Sequence, residues 1–172
     1  MVDILVDPEI EKKFPMNIYL ALRDIRAIFS FLEKDIDSLP IVTFDPQFTK
    51  PVDLNSIEIM SQAISKDLEI NIKLYKQDFF VYRFMPVNAH VKLNEPNVIY
   101  VNERMFNRDR SVQEWKETIF HELIHVFDHY SSYRFGHGKN SLKGKDQSAP
   151  VKLATILSSM DLSEVTDEQL IW

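Results

Sequence analysis

The chain has 172 residues, 45% of them hydrophobic and 12% aromatic, which suits one domain over 1–172 with a substantial core and excludes a disordered tail as its main content. A formal net charge of -6 argues against the broad basic footprint of a nucleic-acid partner. Cysteine is absent, so disulfides are excluded, a bound metal would need nitrogen and oxygen ligands, and a cytoplasmic location is expected.

The opening residues, Met1 to Pro8, lack a basic region and are interrupted by acids, and no later stretch approaches about eighteen apolar residues. Neither a signal peptide nor a membrane partner is expected. Residues 3–6 read as a short strand. Ile18, Leu22, Ile25, Phe29 and Leu32 recur at spacings of three and four, which predicts an amphipathic helix over 17–32 with Pro15 ahead of it. The β-branched and aromatic run over 41–44 predicts a strand, and Ile57, Met60, Ile64 and Leu68 predict a helix over 54–68. Residues 70–75 and 79–84 read as two strands joined near Gln77 and Asp78. Residues 89–93 and 98–101 read as a hairpin around Asn94, Pro96 and Asn97.

Ser111 and Glu114 form an S-x-x-E capping box, which predicts a helix over 112–130. It carries His121-Glu122-Leu123-Ile124-His125, an HExxH pattern. Four of the five histidines, His121, His125, His129 and His137, fall within seventeen residues, which raises the pattern above coincidence. With His121 set at 0°, His125 falls at about 40° and Glu122 at about 100°, while Val112, Trp115, Ile119, Leu123, Val126 and Tyr130 fall between about 120° and 200°. The apolar arc therefore opposes the histidines, so the helix packs into a core while presenting both imidazoles to a cleft. Two imidazoles on one face suit a shared Zn2+, and Glu122 at the edge of that face suits a general base acting on water.

A catalytic zinc takes a third protein ligand and leaves a position open. His129 continues the series, yet it lies about 12 Å from His121 along the axis, too far for three such side chains to converge on one ion. Asp128 shares the histidine face, either orienting an imidazole or facing solvent. All three glycines, Gly136, Gly138 and Gly144, lie within nine residues around His137, and glycine permits the sharp reversal that would return His137 to the pair. His137 is therefore preferred, with Glu164 or Asp161 on the last segment as the acidic alternatives. Tyr130, Tyr133, Arg134 and His129 are the nearest candidates to stabilise an oxyanion.

Strand-rich sequence followed by this helix resembles the zincin metallopeptidases, with HExxH and a Gly-His-Gly turn similar to the SprT-like (Spartan) domains. The stretch from His137 to Lys145 also resembles small zincin-like proteins encoded by phages. The HELIH run with Phe127 and Asp128 is similar to clostridial neurotoxin light chains and mitochondrial ATPase-assembly peptidases. The SprT-like resemblance implies His121, His125 and His137 as zinc ligands and Glu122 as general base. The sequence after Gly138 departs from the SprT-like pattern, and no DNA-binding tail follows, so a crosslink-repair role is not carried over.

The expectation is an α+β single zincin-like domain, with a small twisted, mainly antiparallel sheet packed with helices. Its expected activity is zinc-dependent hydrolysis of a protein or peptide substrate bound along the sheet edge. The alternatives are a catalytically silent zinc-binding interaction module of the same fold and a metal-free structural or nucleic-acid-associated protein whose basic loop, Arg134 with Lys139, Lys143 and Lys145, binds phosphate.

Overall fold

Residues 2–6 alternate buried and exposed side chains while residues 98–102 are buried in succession at the middle of the main sheet, and three-and-four spacing sets the helices packed on it. In the computed structural model, which describes residues 2–106, 108–136 and 147–160, the elements run β1 (Val2–Val6), α1 (Pro8–Glu11), α2 (Met16–Lys34), β2 (Thr49–Lys50), α3 (Ser56–Ser65), β3 (Leu68–Tyr75), α4 (Phe79–Phe84), β4 (Ala89–Lys92), β5 (Glu95–Asn102), α5 (Val112–His129), β6 (Arg134–Phe135) and α6 (Ala149–Ser158). The fold is mixed α and β. Among the described residues no helix is long and apolar enough to cross a membrane.

The main sheet has the order β1-β3-β5-β4. It is mixed rather than mainly antiparallel: β1 with β3 and β3 with β5 are parallel, and only β4 with β5 is antiparallel. The long connections explain this, because α2 and α3 lie between β1 and β3, and α4 and β4 lie between β3 and β5. A second sheet pairs β2 with β6, Thr49 opposite Phe135. β4 is an edge strand.

Three sequence expectations change. Residues 79–84 are helical, because the Asp78 carboxylate accepts from the Phe80 and Val81 amides at 2.9 and 3.4 Å and starts a turn. Phe79, Phe80 and Phe84 are exposed there, so no half-buried strand face existed to favour extension. Residues 41–44 make a single bridge, Thr43 to Asn55, and no strand. The hairpin turns earlier than the proline suggested, since β5 already includes Glu95 and Pro96, with a register shift beside Lys92.

α5 is the centre of the molecule. Its capping box forms, with Ser111 Oγ accepting from the Glu114 amide at 3.2 Å and the Glu114 carboxylate accepting from the Ser111 amide at 2.7 Å. α2 packs on one flank, where Phe29 meets Phe120 and Phe127 at centroid distances of 6.0 and 6.2 Å. α6 packs on another, and the Gln113 amide donates to Ser158 Oγ at 2.9 Å. Phe120 and Ile124 are fully buried along with Trp115, Ile119, Leu123 and Val126. The buried arc is therefore wider than the sequence periodicity indicated, because α5 is enclosed from more than one side.

Candidate functional site

The remaining, polar arc of α5 forms the floor of a cleft. One wall is β4 and the other is α6. Two cavities meet along this floor and share His121 and Glu122 as lining residues. The first, about 430 Å³, extends towards the start of α5 between Asn88 and Ala89 on one side and Val151, Ala154 and Thr155 on the other. The second, about 350 Å³, extends towards the end of α5 past His125, Asp128 and His129, beneath His90, Val91 and Leu93. The HExxH residues thus lie in mid-cleft.

His121 and His125 face one another with ring centroids 5.1 Å apart and planes at 69°. Two imidazoles sharing one tetrahedral ion would show about this separation, since Zn–N bonds of about 2 Å and about 1.2 Å from nitrogen to centroid place the centroids roughly 5 Å apart. The pair and its spacing fit a first-row divalent ion. Among the described residues no group of three His, Asp or Glu side chains is arranged to hold a metal. The preferred third ligand, His137, and the alternatives Asp161 and Glu164 lie outside the described residues. α6 lines the cleft with Val151, Ala154 and Thr155, none of them a strong ligand.

Glu122 sits where the polar arc meets β4. Its carboxylate accepts from the Val91 main-chain N–H, on the side of β4 that faces away from β5. Burial pushes the carboxyl from 4.5 up to about 7, and the Val91 hydrogen bond partly opposes that shift. Its field also reaches Tyr75, whose hydroxyl is raised first by burial and then by this carboxylate. His90, on the edge strand, packs against Tyr75 and Tyr100 at centroid distances of 4.5 and 5.3 Å. Burial and then Lys92 lower its pKa, which favours the neutral ring.

Asp128 takes a role that neither sequence alternative named. Its carboxylate accepts from the Phe135 main-chain N–H and lies 3.8 Å from Arg134 Nη1, so it fastens β6 to the end of α5. Burial raises its pKa while the Phe135 amide and Arg134 oppose the rise. The following residue, Gly136, donates its N–H to Phe48 O at 2.7 Å. A Cβ there would meet only ordinary contacts at 3.7 Å, and its φ is not in the left-handed region, so Gly136 itself makes no turn that needs glycine.

Of the oxyanion candidates, His129 lines the cleft. Tyr130 and Tyr133 instead line a small cavity against α3 with Lys66, whose ammonium donates to Tyr130 O and closes the end of α5. Arg134 is drawn to Asp128. Residues that sequence reasoning did not single out are the Val91 amide, the α6 wall and Arg110. Arg110 lines the first cavity, and no periodicity or motif marks it.

No protein-family model, curated protein or solved structure matches the chain.

Proposed function

We propose that the protein is a zinc-dependent metallopeptidase of zincin type that hydrolyses peptide bonds. The observation that carries this reading is the facing of His121 and His125 at 5.1 Å, beside a Glu122 carboxylate, in the middle of a cleft flanked by an edge strand. His121 and His125 would hold the ion, with His137 as the preferred third ligand. When bound, zinc supplies Lewis acidity to the substrate carbonyl and makes a water more acidic.

Glu122 supplies the proton transfers. Its carboxylate takes a proton from the attacking water as the new C–O bond forms, and then returns it to the leaving amine as the peptide C–N bond breaks. The Val91 N–H holds one carboxylate oxygen, which fixes the side chain beside β4. An extended substrate laid along the edge strand would pass Glu122 in mid-cleft, with room on both sides.

The test is zinc content by elemental analysis together with cleavage of a randomised peptide library by wild-type protein and Glu122→Gln. Near-stoichiometric zinc in both, with cleavage only by the wild type, supports the reading. Zinc binding with no Glu122-dependent cleavage would leave the catalytically silent zinc-binding module. A zinc-free protein would remove both.

A further inference from the structure

Phe80 and Phe84, one turn apart on α4, are 71% and 75% exposed, more than any other aromatic side chain among the described residues. At about 100° per residue they share the outer pole of the helix, with Val81 on one side and Phe79 and Arg83 on the other. Tyr82 takes the inner pole, where its hydroxyl donates to Arg104 O at 3.1 Å. Met85, just past the helix, is exposed as well. The turn is braced from below, since the Gln77 side-chain amide donates to Met85 O at 2.8 Å and Asn102 Nδ2 donates to Val87 O at 2.7 Å. A fixed turn thus holds a contiguous apolar tip in water, which marks a contact surface rather than scattered surface hydrophobes.

Cations surround that tip. The guanidinium of Arg104 lies 5.7 Å from the Phe79 ring centroid, and that of Arg108 lies 5.4 Å from the Tyr82 centroid. Each directs Nε inward, Arg104 to Gln77 O and Arg108 to the Tyr82 hydroxyl. Arg108 is exposed, and neither Nη of Arg104 is shut off from water. Arg83 and Lys76 are exposed alongside, and none of these four cations pairs with a carboxylate among the described residues. Of the acids nearby, Asp78 is engaged by the Phe80 and Val81 amides, while Glu103 and Asp109 are exposed.

An apolar tip ringed by unpaired cations matches an anionic bilayer, whose acyl chains take aromatic side chains and whose phosphates take arginine forks. A second copy would set the same cations against each other. Neither cleft cavity is lined by α4, and a protruding single turn offers a protein ligand no groove, whereas a bilayer needs none. The net charge of -6 opposes approach, but screening limits each charge to a reach of about 10 Å, so the cations at the tip decide the contact.

We propose that α4 anchors the protein to the surface of an anionic membrane, with Phe80 and Phe84 entering the interface and Arg83, Arg104 and Arg108 meeting lipid phosphates. This departs from the sequence expectation of no membrane partner, which considered signal and spanning segments; an interfacial contact needs neither. Residues 85–88 lead straight into β4, so the anchor holds the cavity beside Asn88 and Ala89 close to the surface. The assignment is independent of the metallopeptidase reading.

The test is co-sedimentation of the full chain with vesicles of phosphatidylcholine alone and with about one third phosphatidylglycerol. Binding to the anionic vesicles should be about tenfold or more tighter than to the neutral ones and should weaken as salt rises. Phe80→Ser with Phe84→Ser should reduce it about tenfold or more at unchanged Tm, because both side chains are exposed. Arg83→Gln with Arg108→Gln should remove the preference for anionic vesicles. Phe84→Trp should add fluorescence that shifts to the blue on binding and is quenched by lipids brominated in the acyl chain. Absent binding, equal binding to neutral vesicles, affinity indifferent to the serine pair, a preference undiminished by the glutamine pair, or added fluorescence that stays unquenched would each overturn the proposal. So would self-association in sedimentation equilibrium that the serine pair abolishes without any vesicle affinity, which would assign the tip to a second copy.

Discussion

Replacing Glu122 with Gln should stabilise the metal-free protein, and only above acidic pH. In the fold the carboxyl titrates at about 7 against an ordinary value of 4.5, because burial disfavours its charge. Below about pH 4.5 folded and unfolded states both hold the proton, and the group contributes nothing. Between about 4.5 and about 7 the unfolded chain releases the proton while the folded one keeps it, so stability falls as pH rises. Above about 7 the folded state carries the full cost of a buried anion. A displacement from 4.5 to about 7, at about 1.4 kcal/mol per pH unit, is about 3 kcal/mol at most.

Gln keeps an acceptor for the Val91 N–H and never ionises. For a chain of this size, about 3 kcal/mol corresponds to a rise in Tm of roughly 6–12 °C. The assay is thermal denaturation of chelator-treated wild type and Glu122→Gln from about pH 4 to about pH 9. His121 and His125 on α5, His90 and Lys92 on β4, and Arg110, Glu117 and Asp128 along the cleft are common to both proteins, so the difference between the two curves isolates Glu122. Coincident midpoints across the whole range, or a variant less stable at alkaline pH, would refute the reasoning.

Further expected outcomes follow from the same geometry. His125→Ala should lose stoichiometric zinc after dialysis while its far-UV circular dichroism stays that of the wild type, because the side chain lies at the cleft rather than in the core; retained zinc at unchanged affinity would exclude His125 as a ligand. Phe29→Ala, which empties the contact with Phe120 and Phe127, should cost about 3–5 kcal/mol in denaturant unfolding. Ser111→Ala removes the cap of α5 and should cost about 1 kcal/mol, with no change in zinc affinity.

Much of the scaffold was legible because its signals are local. The capping box at Ser111 and Glu114 fixed the start of α5, and the Ile18 to Leu32 periodicity located α2, which runs Met16–Lys34. β-Propensity misled at Phe79 to Phe84, where composition says strand but Asp78 caps a helix and the aromatic side chains remain exposed. Strand direction was not readable from alternation, since β3 shows the same two-residue rhythm whether its partner runs parallel or antiparallel. The length of each crossover was the better guide: the long one from β1 to β3 runs parallel, and the short turn from β4 to β5 runs antiparallel.

The candidate site divides along the same line. His121, Glu122 and His125 share one helix, so periodicity alone placed their azimuths, and the structure brings them to one cleft as those azimuths require. The azimuths could not say what would stand opposite. Glu122, at the edge of the polar arc, meets a main-chain amide of β4 from about thirty residues earlier, and main-chain donors carry no sequence signature. Asp128 lies on the histidine face, yet its partners are Phe135 and Arg134 in the returning strand. That strand pairs with Thr49 and Lys50, far away in sequence. A helix wheel therefore identifies which residues share a face, but only tertiary contacts decide which of them face a ligand and which fasten the chain.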